Sequence, residues 1–243
     1  MKILENINPA RVLFIDIETV PVTPSYEDLP TELKDFWDKK SAQITRDNST
    51  PSEMFGRAGI YSEFGKIVTI SAGVITGTEQ NRTIRLKSFF GDDEKKILED
   101  FSVMVNNFSS GREALLCAHN GKEFDYPFIA RRMLINGLRI PEVLDNAGKK
   151  PWEINLLDTM DLWKFGDYKT YTSLALITSL LGIPTPKDDI DGSQVANVYY
   201  EENNIERIAR YCEKDVVALI QVFLKFRNDP PVPESAIESV TLF

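Results

Sequence analysis

A single mixed-sheet α/β domain is the fold this sequence predicts, and three observations point to it. A strand opens the pattern, two strand-like runs follow a helical stretch, and alternating helix and strand then give way to a helical final third. The first strand covers about Val12 to Ile17. "PVTPSYEDLP" turns the chain, and charged helical spacing runs from about Thr31 to Gln43. "RDNSTPSEM" breaks that helix, and a second short helix spans Met54 to Ile60. "KIVTISAGVI" and "RTIRLKSFF", separated by "TGTEQN", read as a hairpin.

"DDEKKILEDFSVMVNNF" places Ile97, Leu98, Phe101, Met104 and Val105 on one helical face, with acids in its first turn. "EALLCAHN" is a short buried strand, a helix starts near Phe124, and "EINLLDTM" is a further strand. "TSLALITSLLG", capped by Gly182, "GSQVANVYY" and "NIERIARYCEKDVVALIQVFLKF" are helical. The tail from residue 228 reads as extended. No internal repeat, low-complexity segment or domain boundary appears, so residues 1–243 are expected to form one domain.

Composition narrows the chemistry. The 42% hydrophobic content supports a substantial core, and no apolar run reaches the roughly 18 residues of a membrane span. "MKILENINPA" lacks the apolar stretch of a signal peptide, so a cytoplasmic location without membrane partners is expected. Cys117 and Cys212 read as reduced core thiols. The single histidine, His119, rules out multi-histidine metal sites and reads as a hydrogen-bonded turn residue. A formal charge of -9 argues against nonspecific coating of nucleic acid, but not against a metal-dependent enzyme acting on phosphates.

Within the apolar "FIDIETV", Asp16 and Glu18 share one strand face. Two buried carboxylates cannot neutralise each other, so solvent, a basic partner or a divalent cation must relieve them. Oxygen ligands favour magnesium, manganese or calcium. "HNGKEFDYPFI" sets Asp125 at a helix start after a strand, where α/β sheets usually place their sites. "YCEKDVV" holds Tyr211 and Asp215 one turn apart, beside the apolar stripe Ile208, Cys212, Val216, Leu219 and Phe223.

In order, Asp16 with Glu18, then N-x-x-x-F-D from Asn120 to Asp125, then Y-x-x-x-D from Tyr211 to Asp215 resemble the DEDDy 3′-to-5′ exonuclease family. "FGKIVTIS", "LLGIPTPKDDIDGSQV" and the last helix look like the standalone exonucleases related to the proofreading domain of B-family DNA polymerases. The resemblance covers about residues 10–227. It implies a ribonuclease H-like fold with a mixed five-stranded sheet flanked by helices, a helical insertion at about 21–65 and an extended tail at 228–243.

The same resemblance implies that Asp16, Glu18, Asp125 and Asp215 hold two divalent cations, Mg2+ or Mn2+. By it, Asp16, Glu18 and Asp215 hold the first, Asp16 bridges to the second, and Asp125 anchors the second partly through water. Tyr211 orients the attacking water, being too weak an acid to serve as base near neutrality. Asn120, Phe124, Thr19 and Lys187 are candidate substrate contacts. The implied substrate is a single-stranded DNA 3′ end, with short RNA as the alternative and a noncatalytic nucleic-acid-binding module as a weaker rival. A polymerase or repair protein is a candidate partner. Asp158 reads as a group supporting the cluster, and Asp161 as a cap. The insertion's aromatics, Tyr26, Phe36, Trp37, Phe55, Tyr61 and Phe64, are expected to pack inward, although aromatic faces also suit single strands.

Overall fold

Alternation along the first strand, β1 (Val12–Pro21), sets both layers of the molecule. Leu13, Ile15 and Ile17 face one core and Val12 and Phe14 the other. The computed structural model describes residues 1–45, 49–111, 114–150, 153–154, 156–167, 171–184 and 190–243. The remaining strands are β2 (Gly65–Thr78), β3 (Asn81–Phe90), β4 (Leu115–Ala118), β5 (Leu156–Asp158) and β6 (Ile237–Ser239). They lie in the order β5-β4-β1-β2-β3-β6. The β1-β2 and β2-β3 pairs are antiparallel, and β4 beside β1, β5 beside β4 and β6 beside β3 are parallel. The sequence predicts five strands. The sixth comes from the extended tail, whose three paired residues carry too little alternation to be read as a strand.

The helices are α1 (Lys2–Glu5), α2 (Thr31–Ile44), α3 (Pro51–Met54), α4 (Glu94–Ser109), α5 (Asp125–Ile135), α6 (Thr159–Lys164), α7 (Leu174–Leu180), α8 (Val195–Tyr200) and α9 (Ile205–Phe226). Residues of α4 and α5 cover the Leu13 face, and α9 covers the Val12 face. Glu94, buried at the start of α4, joins the α4 and α5 layer to the sheet. Its carboxylate accepts from Arg132 Nε at 2.8 Å and Nη2 at 2.6 Å, and from the Ile67 amide at 2.7 Å. That bidentate pair ties α4 and α5 to β2 and so fixes the start of α5 against the sheet. No helix among the described residues is long and apolar enough to cross a membrane.

All five residues of the predicted α9 stripe are buried, and Phe223 packs edge-on against Phe14 with centroids 5.1 Å apart. The helix approaches β2 at Gly73, where an added Cβ would lie 2.7 Å from Val216 Cγ1 and 2.9 Å from Ile220 Cδ1. Overpacking there is expected to make Gly73→Ala less stable by about 1–3 kcal/mol, measurable by urea denaturation. An unchanged midpoint would mean that α9 can shift freely on the sheet.

The insertion between β1 and β2 builds its own small core from Leu29, Trp37, Phe55, Ala58 and Phe64. Trp37 is fully buried and donates its indole N–H to the Pro51 carbonyl at 2.8 Å. Three of the six aromatics, Trp37, Phe55 and Phe64, are thus buried as expected, whereas Phe36 is exposed.

Candidate active site

Asp16 and Glu18 continue the Val12 and Phe14 row toward the end of β1, opposite Ser71 and Thr69 of β2. They therefore share one face, as the strand periodicity predicts, and it is the face that α9 covers. A register shift between Glu18 and Thr19 ends this alternation, and leaves Thr19 partly buried. Parallel pairing aligns β4 with the first half of β1, so the turn after Ala118 brings α5 to the level of Ile17. The Asp125 carboxylate accepts hydrogen bonds from the Ile17 amide, between the other two acids, and from its own N–H. From the α9 side, the Tyr211 hydroxyl donates to Asp215. The charge of Asp215 bears on both Asp16 and Glu18.

Four carboxylates thus converge from three distant segments, as the sequence motifs imply. Burial comes first in raising the proton affinity of Asp16 well above the carboxylate range, followed by the charges of Asp125, Asp215 and Glu18. Glu18 is raised by burial and then by Asp215 and Asp125. Asp125 is pushed up to about 7, by burial foremost and by Asp158, against the pull of its two backbone donors. Burial and the neighbouring carboxylates also push the Tyr211 phenol upward, so it stays protonated near neutrality. A site in which Asp16, Glu18 and Asp125 resist ionisation lacks positive charge. Hard divalent cations fit this donor set, since they supply the charge and take oxygen ligands.

Cys212 belongs to the same place. Its thiol donates to Asp16 Oδ2 at 3.2 Å, and ligand atoms of Asp16, Glu18 and Cys212 all lie within 4.8 Å of one another. Sequence reading assigns Cys212 only to the core; the signal lay in its position on the inward stripe, beside Tyr211 and facing the acidic strand. Burial, with Asp16 and Glu18 adding to it, pushes this thiol up, which keeps it protonated as a donor.

Asn120 adopts a left-handed backbone with φ 62°, a conformation Asn tolerates. Its amide donates to Asp158 Oδ1 at 2.9 Å, while its own side-chain Oδ1 is buried without a partner among the described residues. Asp158 accepts from the Asn120, Lys122, Met160 and Asp161 amides. The cap of α6 is therefore Asp158, not Asp161 as expected from sequence, and it also fixes the turn that carries Asn120. Asp161 instead pairs with Lys122 at 3.1 Å and Lys164 at 3.3 Å. His119 bonds Thr159 Oγ1 through Nδ1 at 2.9 Å and the Thr172 carbonyl through Nε2 at 2.8 Å, which is the turn role expected of it. Phe124 leans on the core, 5.4 Å from Phe128, and remains partly exposed. Lys187 lies outside the described residues.

Residues 60–229 match a family described as a predicted 3′-5′ exonuclease related to the exonuclease domain of PolB. The chain belongs to this family. The matched span includes Asn120, Asp125, Tyr211 and Asp215 of the exonuclease motifs, and β1 with Asp16 and Glu18 precedes it. The fold is similar to that of the family B DNA polymerase from the hyperthermophilic archaeon Pyrobaculum calidifontis, with a TM-score of 0.55 and 15% identity. That similarity covers 90% of this chain and 24% of the polymerase. The ribonuclease H-like architecture expected of a PolB-related exonuclease is therefore present, as a mixed sheet flanked by helices.

Proposed function

We propose that this PolB-related exonuclease releases nucleoside monophosphates from the 3′ ends of single-stranded DNA, acting as one domain with two divalent cations, Mg2+ or Mn2+. The convergence of Asp16, Glu18, Asp125 and Asp215 beside Tyr211 carries this reading. Asp16, Glu18 and Asp215 would hold one ion, and Asp16 and Asp125 the other. Bound there, the ions would lower the pKa of water and neutralise charge developing on the scissile phosphate.

The protein's own groups do the positioning. The Tyr211 hydroxyl donates its hydrogen bond to Asp215 and retains a lone pair with which to accept from, and so orient, the attacking water. The unpartnered Oδ1 of Asn120 suits a hydroxyl of the terminal nucleotide, and the exposed part of the Phe124 ring suits its base. Thr19 and Lys187 complete the proposed substrate contacts.

The deciding assay follows mononucleotide release from DNA and RNA strands of identical sequence, with Mn2+, comparing wild type with Asp16→Ala. An inert wild type that binds DNA equally well with and without metal would end the exonuclease reading. Tyr211→Phe is expected to lower kcat by about 10–100-fold while Mn2+ affinity stays within about twofold, since it removes an orienting group and no ligand. An equal fall in Mn2+ affinity would instead make the tyrosine a support of the metal ligands.

A further inference from the structure

Glu213, between Tyr211 and Asp215 in sequence, is a buried carboxylate whose hydrogen-bond partners among the described residues are three hydroxyls. It accepts from Ser88 Oγ at 3.0 Å, from Ser239 Oγ at 2.9 Å, and from Thr241 Oγ1. Two of these lie in or just beyond β6, in the tail after residue 229 that the family match does not reach. The tail is well seated. Thr241 Oγ1 accepts from the Ser88 amide at 2.8 Å, and the Val240 amide donates to the Leu86 carbonyl at 2.9 Å. The Phe243 ring stacks on Phe90 with centroids 5.7 Å apart, and the Arg210 guanidinium lies 3.7 Å from its centroid.

From Glu213 a row of small polar groups leads to the acidic site. Ser88 Oγ is 2.7 Å from Ser71 Oγ, Ser71 reaches the Cys212 sulfur, and the Cys212 thiol donates to Asp16. Each hydroxyl has one proton. A carboxylate only accepts, so Glu213 takes the Ser88 proton. Ser88 must then accept from Ser71, which engages the Ser71 proton and leaves Ser71 Oγ facing the Cys212 sulfur as an acceptor, a rival to Asp16 for the single thiol proton. Three protons thus serve four contacts between two carboxylates, and the tail end sets how the thiol proton is shared between Ser71 and Asp16.

We propose that Glu213, held by Ser239 and Thr241, is a positioning residue for the metal site, acting through Ser88, Ser71 and Cys212 on the Asp16 carboxylate. This rests on the metal-dependent reading above, and makes the C-terminal segment part of the support of that site. Replacing groups that orient metal ligands typically costs about 10–100-fold in metal affinity, so these more remote links should cost about 3–10-fold.

The test is calorimetric titration of the full chain with Mn2+ in the absence of nucleic acid, together with unfolding midpoints in EDTA. Thr241→Val and Glu213→Gln are expected to weaken Mn2+ binding by about 3–10-fold, and Thr241→Ser to restore it. Phe243→Ala, which removes the stack and keeps both hydroxyls, should bind as wild type does. Equal Mn2+ affinity in wild type, Thr241→Val and Glu213→Gln overturns the proposal and leaves the metal site standing. A wild type that binds no Mn2+ overturns both. Should Glu213→Gln unfold, the Thr241→Val and Thr241→Ser pair decides alone, because both hold the tail in place through the same β6 pairing.

Discussion

Asp16→Asn is expected to abolish metal-dependent nucleotide release and, at the same time, to make the metal-free protein more stable. The loss should reach about 1,000-fold, the equivalent of roughly 4 kcal/mol of transition-state stabilisation. The gain follows from the same electrostatics. Asp16 stands among Glu18, Asp125 and Asp215, and its burial and their charges all oppose its ionisation. The amide keeps an oxygen for the Cys212 thiol and drops the charge. Relief of about 1–2 kcal/mol would raise the unfolding midpoint by about 3–6 °C for a chain of this size. Parallel measurements of strand degradation with Mn2+ and of thermal unfolding in EDTA check both halves. Retained activity would remove Asp16 from the mechanism, and a lowered midpoint in EDTA would show that the acids do not repel one another.

The second large effect is a dependence of metal-free stability on pH that runs opposite to ordinary acid denaturation. Asp125 ionises near 7 in the folded protein against a carboxylate's usual 3.8, and Asp16 and Glu18 are raised as well. Between those values the folded state binds more protons than the unfolded chain, so stability is greatest on the acid side and falls as pH rises. In EDTA the midpoint should therefore drop by several degrees between about pH 5 and pH 8. Mn2+ should reverse the loss and displace protons as it binds, which calorimetry in buffers of different ionisation enthalpy detects. A flat EDTA profile across that window would show that the acids ionise independently.

Long periodic segments were legible in the sequence because many residues vote for each. The α4 and α9 stripes, the β2-β3 hairpin and the two-residue alternation through Asp16 and Glu18 all stand where periodicity puts them. The site motifs were legible for a different reason: an acid in an apolar strand, or at a helix start after a strand, has few inexpensive explanations. What escaped depends on partners far away in sequence. Asp158 caps α6, but whether it or Asp161 does so is set by amides of the Asn120 turn. Cys212 looks like any apolar stripe residue until β1 is placed beneath it. The three residues of β6 become a strand only because β3 offers an edge.

The order in which the site's parts occur along the chain has a consequence for the cell that makes it. Asp16 and Glu18 emerge from the ribosome before Asp125, and Tyr211 with Asp215 after all of these, on a helix that must cross β1, β2 and β3. Domains generally fold as units, and contacts between distant segments form late. A chain that has not yet released α9 from the ribosome therefore carries no complete acidic site.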